Sequence, residues 1–208
     1  MDIVGLKRNV FGSRSSLHYL GRMSLETARM VLVAAVADNG VIARGGGLPW
    51  NIPEDAEHYL RTVRHHALLM GRTTYDEMGG PMPDSTTIVL TRDRAWQPGG
   101  GVRVAHDIES ALDLARSSEH GDRPLMVVGG AQVYALALAA GAEEQVLTEV
   151  HLSPEGDTFY PAFDRTEWTE THREPHLDAE VPFEFVWLSR GARHGDDAGR
   201  PRPSEPIT

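Results

Sequence analysis

Met30-Val-Leu-Val-Ala-Ala-Val-Ala37 is a run of eight apolar residues without polar alternation. A strand with one wet face alternates, so an unbroken run of this length belongs to a strand covered on both faces, as in parallel sheets flanked by helices. It is the predicted central strand. Two shorter runs, Ala67-Leu-Leu-Met70 and Leu125-Met-Val-Val128, repeat the signal, and each passes through glycine into a helix start. Thr87-Ile-Val-Leu-Thr-Arg92 and Gln145-Val-Leu-Thr-Glu-Val-His151 read as further strands. Asp107 to Ser118 reads as an amphipathic helix with Ile108, Ala111, Leu112 and Ala115 on one face. Glu167 to Pro175 and Pro182 to Arg190 read as a closing hairpin. The predicted fold is therefore α/β, a single domain over 30–190 with a mixed, mainly parallel sheet, flanking helices, right-handed crossovers and a C-terminal antiparallel hairpin.

The stretch from Gly47 to Asp55, Gly-Leu-Pro-Trp-Asn-Ile-Pro-Glu-Asp, joins the central strand to a helix. Pro53 suits a first helical turn, because its fixed φ fits and its missing N–H would have no partner there. Glu54 and Asp55 then lie at the positive end of the helix dipole. Ala56, Tyr59, Leu60 and Val63 predict one buried helical face, which places Asp55 at its edge, pointing inward. A carboxylate so placed can hydrogen-bond an amino-rich heterocycle and help it take up a proton. Taken alone, Asp55 reads equally well as a residue that complements the dipole. Upstream, Asp38 to Gly47 forms a loop with four glycines.

Charge and composition exclude several classes. The segment 30–190 carries 25 Asp and Glu against 12 Arg, so a nucleic-acid partner is not expected, and an anionic ligand must rely on a few local arginines and backbone amides. Cysteine is absent, which removes disulfides, thiol nucleophiles and cysteine metal sites and fits a cytoplasmic protein. No apolar run approaches the roughly 18 residues of a membrane span. The ten histidines form no His-x-x-x-His pair on a predicted helix, and no metal is assigned. Residues 1–29 read as a loose extension without a secretory h-region, their composition also admitting a transit peptide or a start assigned upstream of Met30. Residues 191–208, rich in Gly, Pro and charge, read as a disordered tail.

The Leu48-Pro49-Trp50-Asn51-Ile52-Pro53-Glu54-Asp55 stretch resembles the signature of dihydrofolate reductases, and the resemblance extends over about residues 30–190. It implies hydride transfer from NADPH to C6 of dihydrofolate with a proton reaching N5, in a monomer. Asp55 would then hold the pterin edge, Thr148 would bond that carboxylate, and Trp50 would bound the pocket and order water. Ala35, Leu48 and Tyr59 would line the substrate site, with Ile42 towards the cofactor. The glycine-rich loop would be a lid that excludes water, met by a second loop near Glu155-Gly-Asp-Thr-Phe-Tyr-Pro161.

Gly71-Arg72-Thr73-Thr74 and Gly129-Gly130-Ala131-Gln132-Val133-Tyr134 would grip the two ends of the dinucleotide, although either alone reads as a capped helix, and neither fits Gly-x-Gly-x-x-Gly. The resemblance implies a cis peptide at Gly129-Gly130. A planar guanidinium suits a phosphomonoester, so Arg72 with Thr91 and Arg92 would select NADPH over NADH, against the plainer reading of solvated surface arginines. One position departs from the family. Ser85 stands where an arginine commonly grips the folate α-carboxylate, a loss of about 1.5–3 kcal/mol of tail binding, and Arg61 or Arg64 would partly compensate. Two rival readings are a same-fold reductase of riboflavin-pathway pyrimidines and a binding module without turnover. The first is not expected to have Trp-Asn-Ile-Pro-x-Asp, and the retained Asp55 and lid argue against the second.

Overall fold

The computed structural model describes residues 29–191. The predicted extension and tail lie outside these residues, apart from Arg29 and Gly191. With strands numbered in chain order, β1 (Met30–Ala37) lies between β6 (Leu125–Gly129) and β7 (Glu144–Val150) and runs parallel to both. Beyond β6 follow β3 (Ala67–Gly71), β4 (Thr86–Leu90) and β5 (Arg103–Ala105), all parallel. Beyond β7, β10 (Phe183–Arg190) and β9 (Trp168–His176) complete an eight-stranded sheet as an antiparallel hairpin. The predicted mixed sheet and its closing hairpin are both present.

The unbroken apolar run behaves as its pattern requires. Leu32 packs with Leu69, Ile88 and Val127, whereas Val31 and Val33 pack with Val63, Leu68 and Val89 in a separate cluster. Successive residues of a strand point to opposite faces, so both faces of β1 are covered, each fully buried Val or Leu contributing about 1.5–3 kcal/mol. Among the described residues, four α-helices flank the sheet: α1 (Pro53–Val63), α2 (Arg72–Met78), α3 (Ile108–Arg116) and α4 (Ala131–Ala139). In α3 the four predicted face residues, Ile108, Ala111, Leu112 and Ala115, are the buried ones, and Asp107 caps its start by accepting from the Ser110 N–H.

The face of α1 differs from its prediction. Asp55, His58 and Val63 are buried, whereas Ala56 is exposed and Leu60 is 50% exposed. The buried stripe is turned by about one residue because His58 stacks on Phe185 of β10 at 3.9 Å between ring centroids. Counting apolar residues alone cannot anticipate a histidine that fills an aromatic slot.

The glycine-rich loop is also more ordered than its composition suggests. Its β2 (Val41–Ala43) pairs with β8 (Thr158–Phe159) in a separate two-stranded sheet. A bridge between Arg44 and Gly47 closes the loop tip.

Candidate active site

The carboxyl ends of β1, β3, β4, β5 and β6 share one edge of the sheet, where open parallel sheets place ligands. Asp55 reaches this edge from α1, whose first position is Pro53. Only 7% of Asp55 is exposed, and the Thr148 hydroxyl of β7 donates to its Oδ1 at 2.6 Å. Burial raises the Asp55 pKa, and the Thr148 bond opposes that rise. Ala35 pairs directly with Thr148 in the sheet, and Phe185 pairs with it from the other side, so neighbouring strands fix this hydroxyl.

Trp50 is buried against Ile52, Val41 and Phe183, and among the described residues its Nε1–H has no acceptor. Buried donors left unpaired are costly, so this indole calls for an ordered water or a ligand atom. Tyr59 packs beside Val31, Val33 and Met70, where burial pushes its phenol up to about 12. Ile42 lies in the main core, while Leu48 is 55% exposed in the stretch that leads into α1.

The loop over this edge is tied down at several points. Gly45 N–H donates to Asp157 Oδ2 at 2.8 Å, Arg44 pairs with Glu155 at 3.1 Å, and Asp157 N–H returns to the Ala43 carbonyl. A side chain on Gly156 would lie 2.3 Å from Val41 Cγ1 and 2.9 Å from the Ala43 carbonyl, so only glycine lets the two segments approach this closely. The two segments expected to meet do so.

The two glycine junctions also converge. A Cβ on Gly71 would stand 3.3 Å from Val133 Cγ2 and 3.8 Å from the Gly130 nitrogen, and one on Gly130 would be 3.4 Å from Thr74 Oγ1. The Gly129-Gly130 peptide is cis. Val133 and Tyr134 are buried, with both N–H groups bonded to the Gly130 carbonyl and the Tyr134 hydroxyl donating to Val33 O at 2.7 Å. The N–H groups this helix start leaves free are those of Ala131 and Gln132, so Ala131 joins the site through a backbone group its side chain does not advertise.

Thr73 and Arg92 are exposed. Arg72 and Thr91 are drawn together by Asp93, which accepts from Arg72 at 3.1 Å and donates its own N–H to Thr91 Oγ1. Trp96 adds a ring 5.4 Å from the Arg72 guanidinium carbon. Asp93 and Trp96 went unmarked in the sequence, since nothing in spacing links them to a residue some twenty positions earlier. At the departing position, Ser85 Oγ reaches only the Val63 carbonyl at 3.4 Å, while Arg64 makes two bonds to Asp84 Oδ2. Among the described residues, no three His, Asp or Glu side chains gather as a metal site.

A sequence model described as dihydrofolate reductase matches residues 29–190. The chain belongs to the dihydrofolate reductase family. Dihydrofolate reductase HdrB of Haloferax volcanii is 41% identical over 85% of this chain and 91% of its own length. The type 3 dihydrofolate reductase of Salmonella typhimurium is 35% identical over 76% of this chain and 96% of its own. Among solved structures, the dihydrofolate reductase from Enterococcus faecalis complexed with NADP(H) and RAB-propyl superposes with a TM-score of 0.70. It is 30% identical and covers 79% of this chain and 98% of its own.

Proposed function

We propose that this chain reduces 7,8-dihydrofolate to tetrahydrofolate with NADPH, supplying one-carbon metabolism and thymidylate synthesis. The observation that carries the reading is the buried Asp55–Thr148 pair at the ligand-binding edge of the sheet, beneath the tethered loop. When bound, NADPH supplies the hydride that goes to C6 of the pterin. The residues present fit that cofactor: the glycine junctions leave backbone room and free N–H groups, and Arg72, Arg92 and the Thr91 hydroxyl offer donors to a phosphate.

The remaining work falls to the chain's own groups. Asp55, held by Thr148, accepts hydrogen bonds from the amino-pyrimidine edge and so orients the ring. Its low exposure strengthens the electrostatic pull that favours a proton at N5. The unpartnered Trp50 Nε1–H holds a water through which that proton is delivered. Tyr59, Ala35 and Leu48 bound the substrate, Ile42 lies towards the cofactor, and the loop anchored by Asp157 and Glu155 keeps bulk water out.

The folate glutamate meets a different arrangement from the usual arginine. Arg64 is engaged by Asp84, whereas among the described residues Arg61 pairs only with Glu57, at 3.7 Å, so Arg61 is the freer partner for a carboxylate. The same reading makes the protein a cytoplasmic monomer with no nucleic-acid partner, its working domain spanning 30–190.

The test is oxidation of NADPH with dihydrofolate, in the wild type and Asp55→Asn side by side. The wild type turns over. The variant loses on the order of 10²–10⁴-fold at neutral pH and recovers partly in acid, where the substrate already carries its proton. A variant as active as the wild type at neutral pH would overturn the role of Asp55.

A further inference from the structure

Asp55 and His58 lie one turn apart on α1, and both are buried. Residues at this spacing are neighbours on one helix face, with Cβ atoms about 5–6 Å apart. The sheet beneath offers a matching pair. Thr148 of β7 and Phe185 of β10 are direct antiparallel partners, so their side chains stand on one face about 4.5–5.5 Å apart. Asp55 meets Thr148, and the His58 ring lies over Phe185 at 3.9 Å between centroids and 20° between planes. The two contacts are side by side, so α1 cannot slide or turn at one without disturbing the other.

Little else holds this part of α1 against β10. Ala56, Glu57, Leu60 and Arg61 are exposed, Tyr59 packs with Val31, Val33 and Met70, and Val63 lies at the far end of the helix. The ring itself is kept in place by stacking. Its Nε2 is 3.5 Å from Thr62 Oγ1, a long contact, and that hydroxyl donates instead to the His58 carbonyl at 2.8 Å. Trp187 closes the slot edge-on at 5.6 Å. The ionisable groups facing the ring are Arg61 of α1 and Glu174 and His176 of β9. Burial and the Arg61 charge lower the His58 pKa against the opposing pull of Glu174, so at neutral pH the stacked ring is a neutral imidazole.

We propose that His58 is a positioning residue for the reduction, its stack on Phe185 setting the place of Asp55 against Thr148. This rests on the reading of Asp55 as the carboxylate that holds the pterin. A misplacement of about 1 Å at a reacting group costs up to on the order of 100-fold in rate, so a ring that acts only through α1 can still govern turnover. The flat shape of the side chain matters here, and its proton does not.

The test is the pH profile of kcat/KM for dihydrofolate in the full chain, with His58→Leu, which fills the slot without a flat ring, and His58→Phe, which keeps one. His58→Leu falls about tenfold, and its acid-side limb moves to higher pH as the Thr148 bond loosens. His58→Phe stays within about threefold of the wild type with its limb unmoved. In a Thr148→Val background, His58→Leu costs less than about threefold more, because both changes act through Asp55. The Kd for NADPH is unchanged throughout, which shows that the variants fold. The inference is overturned if His58→Leu matches the wild type, if His58→Phe falls as far as His58→Leu, or if the double variant loses the full product of the two single losses, which would make the stack a structural contact independent of Asp55. A wild type that binds NADPH but leaves dihydrofolate untouched would instead remove the reading beneath. The same cycle read in melting temperatures then decides the positioning role without a substrate, additive shifts overturning it and coupled shifts upholding it.

Discussion

Asp55 and Thr148 meet at 2.6 Å with less than a tenth of either residue exposed, whereas Arg72 and Asp93 meet at 3.1 Å with nearly half of each side chain in water. The same Coulomb interaction is several-fold stronger at the effective dielectric of a protein interior than in water. In the substrate half of the cleft one carboxylate on a rigid helix start can therefore carry the proton chemistry, provided the sheet holds its partner. In the cofactor half no single group is worth much, and recognition is spread over glycine backbone, hydroxyls and arginines, of which Arg72 is already balanced by Asp76 and Asp93. Chemistry is concentrated where the protein is dry, and selectivity is distributed where it is wet.

Breaking the dry pair carries the largest effect after Asp55 itself. Thr148→Val keeps the shape and removes the donor, leaving a buried carboxylate short of one hydrogen bond, a loss of about 1–3 kcal/mol or roughly 5-fold to 150-fold in kcat/KM. The Thr148 bond lowers the Asp55 pKa against its burial, so its removal moves the acid-side limb of the pH profile to higher pH. A pH profile of kcat/KM reads both, and an unmoved limb would detach Thr148 from the chemistry.

At the rim of the substrate half, Arg61→Ala raises the dihydrofolate KM by a few-fold and Arg64→Ala by less, because Asp84 already occupies Arg64. Unchanged KM in both variants would show that neither arginine meets the tail. The smallest effect lies in the wet half. Asp93→Asn frees Arg72 from the nearer of its two carboxylates and tightens NADPH by less than about fivefold without altering NADH, which parallel titrations of the two nucleotides would show.

How much of this was legible depended on the range of the interaction. The unbroken run over Met30 to Ala37, the face of α3 and the closing hairpin are written in local periodicity, and they are found as read. Pro53 marks the first turn of α1 in the same local way. The phase of that helix was not legible, because His58 is buried by an aromatic ring contributed from 127 positions later. The pairing of β2 with β8, the Asp93 tie to Arg72 and the hold of Asp84 on Arg64 are likewise contacts between distant segments, which composition does not encode. Val133 and Tyr134 illustrate a subtler case. Their motif is real, but in three dimensions their side chains belong to the core and their N–H groups to the helix, so the free donors shift to Ala131 and Gln132.

The central claim is that Asp55 is kept buried and ionised at a cost to the fold, and the melting temperatures of wild type and Asp55→Asn across pH test it most directly. A carboxyl whose native pKa is raised favours folding while protonated and loses that contribution as pH rises through its native pKa. Asparagine keeps the bond from Thr148 without the charge. Asp55→Asn is therefore expected to melt higher than the wild type at neutral pH, by about 2–4 °C for each kcal/mol relieved, with the gap narrowing as pH falls through the raised pKa of Asp55. A variant that melts lower than the wild type at neutral pH, or a gap that does not change with pH, would contradict the account.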